Sequence, residues 1–135
     1  MTTIKLFLSV LLLIPACDAQ ATQALFACNL KAFQPQEKIR WRKLIERVTS
    51  AVDSLRELND GYALRVDPKR ISVVEVAEWI DLERKCCPFF DFQLALHGED
   101  GTLWLSLTGR DGVKQFIEMD FGSLRDKLPR REGTK

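Results

Sequence analysis

The sequence predicts an α+β fold in which an antiparallel sheet of about four strands carries helices packed on it. Two kinds of pattern support this prediction. Apolar residues recur at helical spacing in three segments, and apolar and polar residues alternate in shorter segments that are joined in pairs by turn sequences. The predicted order is helix, hairpin, helix, hairpin, helix. Hairpins with helices to one side are typical of an antiparallel sheet with one covered face.

The first helix and hairpin occupy the amino-terminal half of the predicted domain. Pro35 suits the first turn of a helix, which we expect from about Gln36 to Val52. The turn sequence Asn59–Gly61 then joins a strand around Leu55–Leu58 to a strand over Tyr62–Val66. The apolar face of the helix is predicted to comprise Trp41, Leu44, Ile45, Val48 and Val52.

The second helix begins at a capping box, because Ser72 precedes Glu75 by three positions. Pro88 ends this helix, since it restricts the residue before it to extended conformations. Two alternating strands and a third helix follow. The predicted buried positions are Val73, Val76, Ala77 and Ile80 in the second helix, Phe90, Phe92, Leu94 and Leu96 in one strand, Leu103, Leu105 and Leu107 in the next, and Val113, Phe116 and Ile117 in the last helix.

Residues 1–21 read as a signal peptide. Lys5 precedes the apolar run Leu6–Ile14, which is too short to cross a bilayer as a helix. Cleavage after Ala19-Gln20-Ala21 would release a chain that starts at Thr22. The chain is then expected to be exported, periplasmic or secreted.

Two alternatives to that cleavage site stay open. Ile14–Cys17 resembles a bacterial lipobox, in which residues 1–16 are removed and Cys17 carries a lipid anchor, although Pro15 departs from the usual small residue. The apolar run can also be read as a genuine N-terminal helix or as the product of a misassigned start codon. In either cleavage scheme, residues 22–124 form a single α+β domain and residues 125–135 a flexible basic tail.

Composition narrows the functional class. Hydrophobic residues make up 46% of the chain and charged residues 29%, with a formal net charge of +1. This balance is typical of a globular protein and argues against a disordered chain or a nucleic-acid-binding domain. The sequence has no glycine-rich phosphate loop and no nucleophile elbow. A binding domain is therefore favoured over an enzyme.

Three cysteines form the candidate site. Cys17 is removed or acylated under both cleavage schemes, which leaves Cys28, Cys86 and Cys87. A disulfide from Cys28 to either member of the pair would leave one free thiol, whereas a bridge between neighbouring cysteines closes a strained ring. If the three sulfurs converge, they suit a soft, thiophilic ion such as Hg(II), Cu(I), Zn(II) or trivalent arsenic. The spacing of the cysteines does not decide among these possibilities.

The charged residues around the pair predict no strong activation of its thiols. Arg84 and Lys85 favour thiolates, and the carboxyl end of the helix opposes them, so we expect the two effects to cancel. A purely structural role is the competing interpretation, because free cysteines are often buried. Asp81 and Glu83 are predicted to be solvated and paired with the neighbouring cations. Asp91 could join them in a carboxylate cluster, His97 is expected at the surface rather than as a fourth ligand, and Trp41, Trp79 and Trp104 are expected to pack between helices and sheet.

A family of small bacterial proteins with an early cysteine and a Cys-Cys-Pro-Phe core is resembled by the stretches Phe26–Leu30, Glu83–Phe92 and Leu103–Gly109 with Gly112–Lys114. A similar Cys-Cys-Pro-Phe segment is found in a domain appended to MerR-type, heavy-metal-responsive regulators. The resemblance covers about Cys28 to Phe121. It implies that Cys28, Cys86 and Cys87 act together and that the domain associates with a heavy metal. This sequence differs from the family in carrying a predicted export signal before the early cysteine, and that difference argues against a cytoplasmic sensor.

Two hypotheses follow from the sequence. The first is a small exported domain that binds a soft metal or metalloid ion through Cys28, Cys86 and Cys87. The second is a thiol-disulfide protein, or a purely structural domain, in which Cys28 is bridged to one member of the pair and no metal is bound. The distance from Cys28 to the pair distinguishes a shared site from separate cysteines, because metal–sulfur bonds are about 2.3 Å long.

Overall fold

A computed structural model describes residues 26–122 and residue 126. Three helices and one four-stranded antiparallel sheet confirm the α+β prediction. The predicted signal peptide, both cleavage sites and nearly all of the predicted basic tail lie outside the described residues. The elements in chain order are a short 3₁₀ turn (Leu30–Ala32), α1 (Pro35–Ala51), β1 (Val52–Glu57), β2 (Gly61–Val66), α2 (Val73–Cys86), β3 (Asp91–Leu96), β4 (Leu103–Thr108) and α3 (Val113–Asp120).

The sheet has the strand order β1-β2-β4-β3, so that β2 and β4 are its central strands. Every neighbouring pair is antiparallel, and Leu105 of β4 lies opposite both Leu64 of β2 and Leu94 of β3. Alternate residues of the two central strands face the core because successive side chains of a strand point to opposite faces. The buried residues of this face are Tyr62, Leu64, Val66, Leu103, Leu105 and Leu107.

Helix α1 passes directly into β1, with no residue between Ala51 and Val52. Its start is a capping box between Gln34 and Glu37. The predicted helix limits are therefore within one residue of the observed ones. The predicted strand around Leu55–Leu58 begins too late, because β1 starts at Val52 and contains an irregularity between Val52 and Ser54 that interrupts simple alternation.

The start of α2 is as predicted, since Ser72 Oγ accepts a hydrogen bond from the Glu75 amide at 3.2 Å and the Glu75 carboxylate accepts one from the Ser72 amide. Its predicted buried face is wrong in part. Ala77 is exposed, and the helix is rotated so that Trp79 is completely buried against the edge of Phe92. The large indole ring occupies the core in preference to the small alanine. The buried residues of α2 are Val76, Trp79, Leu82, Glu83 and Cys86.

Ion pairs join α1 to α2 along their solvent-facing sides. Arg40 pairs with Glu78 at 2.5 Å, and Lys85 pairs with Glu37 at 2.7 Å. Such exposed pairs contribute about 0 to 1 kcal/mol each, so the buried apolar residues rather than the charges hold the helices together. Among the described residues, no helix is long and apolar enough to cross a membrane.

Candidate thiol site

The three predicted cysteines converge at the carboxyl end of α2. Cys86 is the last residue of the helix and Cys87 is its C-cap, while Cys28 lies in the segment that precedes α1. A disulfide joins Cys28 to Cys87, whose Cα atoms are 4.8 Å apart. Cys86 is a free, buried thiol. Of the pairings left open by the sequence, the structure therefore contains the bridge from Cys28 to the second member of the pair.

Backbone hydrogen bonds hold the pair and its partner segment together. The Cys87 amide donates to the Glu83 carbonyl at 2.8 Å, which is the last bond of the helix, and the Asn29 amide donates to the Cys86 carbonyl at 2.8 Å. The first bond ends the helix next to Pro88, as predicted. The second satisfies a carbonyl that would otherwise have no partner at the helix end, and it places Cys28 beside the pair.

Aromatic contacts anchor the amino-terminal segment on the other side of the site. The ring of Phe26 lies edge-on to Phe89 at 5.1 Å between centroids, and the Arg110 guanidinium lies 4.9 Å from the Phe26 ring. Gly112, at a φ of 94°, precedes α3. A Cβ atom there would lie 2.7 Å from the Phe26 ring, so glycine permits both the backbone conformation and the contact.

The Cys86 thiol is isolated from solvent. Its Sγ–H donates to the Glu83 carbonyl at 3.3 Å, and its sulfur lies 3.5 Å from Cys87 Sγ. Burial, followed by the nearby negative charge of Glu83, raises the pKa of the Cys86 thiol to about 12. The thiol is therefore not activated, as expected, but the cause is burial rather than a balance between the cations and the helix end. Arg84 and Lys85 are engaged by carboxylates, and burial keeps the thiol protonated at neutral pH.

Glu83 belongs to the site, contrary to the prediction that it is solvated. Its side chain is buried, and Trp41 Nε1 donates a hydrogen bond to Glu83 Oε2 at 2.5 Å. Burial raises the pKa of the Glu83 carboxyl to about 7, opposed by the hydrogen bond from Trp41 and reinforced by the negative charge of Asp120. The sequence contained one usable signal, because Glu83 lies three and four positions before the cysteine pair and so shares their helix face.

Together these residues form a group of potential ligands. One ligand atom from each of Cys28, Glu83, Cys86 and Cys87 lies within 4.8 Å of the other three. Four donors around a metal with 2.3 Å bonds are separated by about 3.8 Å in a tetrahedron, so the group has the dimensions of a metal site once the disulfide is reduced. Three sulfurs and one oxygen form a donor set that favours soft ions.

The other predicted candidates lie outside this group. Asp81 pairs with Arg84, as predicted, Asp91 is exposed at the start of β3, and His97 is exposed in the turn after β3. Trp79 is in the core, whereas Trp104 lies under the Arg56 guanidinium at 4.3 Å. Trp41 differs from the other two tryptophans in its contact with the site, because it donates a hydrogen bond to Glu83, one of the four potential ligands.

A cleft of about 810 Å³ leads from solvent to the site. Cys28 and Glu83 both contribute to its wall, while Cys86 and Cys87 lie behind that wall with no exposed surface. Cys28 is partly exposed. A molecule in the cleft therefore meets the disulfide at Cys28 first.

Comparisons with known proteins leave the chain without an assigned relative. No family model matches it, and no curated protein and no solved structure shows significant similarity to it. The resemblance to the Cys-Cys-Pro-Phe family thus stays a prediction, and the geometry of the site carries the functional argument.

Proposed function

We propose that the reduced protein binds one soft metal or metalloid ion through Cys28, Cys86 and Cys87. The observation that carries the proposal is the convergence of these sulfurs and the Glu83 carboxylate within 4.8 Å. Thiolates are the preferred ligands of such ions, and a site assembled from two distant parts of the chain is held in place by the fold rather than by local spacing. The disulfide form is then the ion-free, oxidised state.

The buried position of Cys86 favours binding over catalysis. A thiol with no exposed surface and a pKa near 12 is a poor nucleophile at neutral pH. A metal ion that enters the site makes the Cys86 thiolate accessible, because its positive charge replaces the thiol proton and offsets the cost of burying a thiolate. The site is therefore suited to capture of a cation and poorly suited to attack on an external substrate by Cys86.

Titration of the reduced protein with Hg(II), under anaerobic conditions, tests the proposal. We expect one ion per chain, a thiolate-to-metal absorption band, and no uptake by the disulfide form. Serine at any of the three cysteines should weaken uptake by more than about 100-fold, since even partners outside the ligand shell cost 10-fold to 100-fold. Glu99→Gln, in the exposed turn between β3 and β4, is the control and should bind as the wild type does. Equal uptake by the three serine variants and the wild type would exclude a shared three-thiol site.

A second candidate function is thiol-disulfide exchange, which the Cys28–Cys87 bridge favours directly. A thiolate of an external dithiol attacks Cys28 Sγ, the bond to Cys87 breaks, and Cys87 leaves with the electron pair and takes up a proton. The second thiol of the dithiol then displaces Cys28, so that the dithiol is oxidised and the protein gains two thiols. Cys28 is the expected point of attack because it is the partly exposed member of the bridge.

Redox titration against defined glutathione or dithiothreitol couples separates the two candidates. A potential below about −300 mV describes a bridge that resists reduction by cellular thiols, whereas a potential near that of glutathione describes an exchange protein. Rapid, reversible exchange together with no uptake of Hg(II) by the reduced protein would favour the second function over the first.

We further propose that the domain acts outside the cytoplasm. A disulfide that joins distant segments is consistent with an oxidising compartment, as is the amino-terminal sequence. Measurement of the mature amino terminus and its mass tests this. A start at Thr22 supports a released protein, an acylated Cys17 supports a lipid-anchored one, and an intact Met1 argues against export.

A further inference from the structure

The cleft beside the disulfide has features that the binding of a metal ion does not require. It is open to solvent and bounded by the segment before α1, the helices α1 and α3, the start of β1 and the end of α2. Its volume of about 810 Å³ lies in the range of sites for small organic molecules, whereas a single ion needs only the space between its ligands.

Apolar and aromatic side chains form much of the cleft wall. Trp41 is held in place by its hydrogen bond to Glu83 and by packing on Phe33, with 5.5 Å between ring centroids. Such a wall binds the apolar body of a ligand and offers ring faces to a cation. The apolar residues that the argument uses are Phe26, Trp41, Ile45, Val52, Phe116 and Phe121.

Two carboxylates that have no cationic partner within residues 26–122 also line the cleft. Glu83 is 3% exposed, and only one of its two oxygens has a hydrogen-bond partner among the described residues, from Trp41. Asp120 is in the same cleft, close enough for its negative charge to act on Glu83. Among the lining residues that the structure describes, none is lysine, arginine or histidine. A buried carboxylate in this position is compensated when a cation binds.

We propose that this cleft is a binding site for a small organic cation with an apolar body. The ammonium group lies near Glu83 and Asp120, and the apolar body packs against the aromatic wall next to Cys28. A neutral apolar ligand would leave the Glu83 oxygen unpaired, and an anionic ligand would be repelled by both carboxylates. The site is independent of metal binding, since it is present in the disulfide form.

Three probes that share one apolar body test the proposal on the oxidised protein, without added metal, at pH 8. They are 2-phenylethylammonium, 2-phenylethanol and 3-phenylpropanoate, with charges of about +1, 0 and −1 at that pH. Binding is followed by tryptophan fluorescence and by chemical-shift changes in NMR spectra. We expect the cation to bind about tenfold more tightly than the alcohol, because the ammonium pairs its charge with the carboxylates whereas the alcohol donates a hydrogen bond without a charge of its own, and the anion not to bind.

Charge-removing variants locate the site. Glu83→Gln keeps an acceptor for Trp41 and should weaken binding of the cation by about tenfold and binding of the alcohol by much less. Asp120→Asn tests the same charge effect at an exposed position, where the substitution does not disturb the core. Glu99→Gln, in the exposed turn between β3 and β4, is the matched control. Equal binding of the three probes, no binding of the cation, or unchanged cation affinity in both cleft variants would overturn the proposal.

Discussion

The two junctions at which a helix leads into a strand pair differ in how they are held together. Helix α1 continues into β1 without an intervening residue, and both Ala51 and Val52 are buried. Helix α2 is separated from β3 by the four residues Cys87–Phe90. The first junction is held together by apolar packing and by backbone hydrogen bonds. One of these bonds runs from the Asp67 amide to the Ala51 carbonyl at 2.9 Å.

The second junction requires a partner from elsewhere in the chain. Cys28 reaches it across a sequence separation of 59 residues. The aromatic residues that follow the pair pack together, with 4.8 Å between the ring centroids of Phe89 and Phe90 and 5.1 Å between those of Phe89 and Phe116. The same succession of elements is thus built twice, and only the copy with the extra linker contains the cysteine pair and its long-range bridge. Four experiments test this contrast, in order of decreasing effect.

The largest effect should be the protection of Cys86 from alkylation. In the native disulfide form we expect iodoacetamide to modify Cys86 at least about 1,000-fold more slowly than in urea-unfolded protein, because a domain stability of about 5 kcal/mol makes the open form that rare. Mass spectrometry measures the rate. Fast modification of the folded protein would show that the second junction is open to solvent and would contradict the buried position of this thiol.

Removal of the long-range bridge should destabilise the domain by about 4 kcal/mol, since the disulfide closes a loop of about 60 residues in the unfolded chain. Cys28→Ser is the variant, and urea denaturation of the oxidised protein is the measurement. The reduced wild type is the control and should be as unstable as the variant. A difference below about 1 kcal/mol between oxidised and reduced wild type would mean that packing alone holds the second junction.

Glu83 should make the stability of the oxidised protein depend on pH. Its pKa is raised from 4.5 to about 7 in the folded state, so the unfolded chain loses the proton first as the pH rises. The contribution of Glu83 to the free energy of unfolding is therefore complete below pH 4.5, and about 3 kcal/mol of it is lost as the pH rises to 7. Glu83→Gln should lack this loss. The test compares the free energies of unfolding of the wild type and Glu83→Gln as functions of pH. If the two curves are parallel from pH 4.5 to 7, the raised pKa of Glu83 is contradicted.

The smallest of the four effects concerns the first junction. Val52→Ala should cost about 2 kcal/mol, from the lost methyl groups and the space they leave. Because no disulfide is involved, the loss should be the same in oxidised and reduced protein. Double variants with Cys28→Ser measure the coupling, and we expect the two losses to add within about 0.5 kcal/mol. A redox-dependent effect of Val52→Ala would show that the junctions are not separate.

The parts of the site that depend on local patterns were predictable. Pro88 ends α2, Ser72 and Glu75 start it, and the odd number of thiols after Cys17 pointed to a combined role for the remaining three cysteines. The burial of Glu83 was predictable only in part, from its position on the same helix face as the cysteine pair. Its flanking charges are those of a solvated helix, and only contact with Trp41 of α1 shows that the carboxyl faces inward. Helix rotation depends on what packs against the helix, which a single segment does not contain.

The sequence alone determined the α+β class, the positions of most turns and helix starts, and which three cysteines to consider together, because these depend on residue type and on periods of two or 3.6 residues. The tertiary structure decided that Cys28 pairs with Cys87 rather than with Cys86. It also decided that β2 and β4 are the central strands, and that Glu83 and Cys28 share one cleft. These choices depend on contacts between residues far apart in the chain, where burial and packing outweigh local preference.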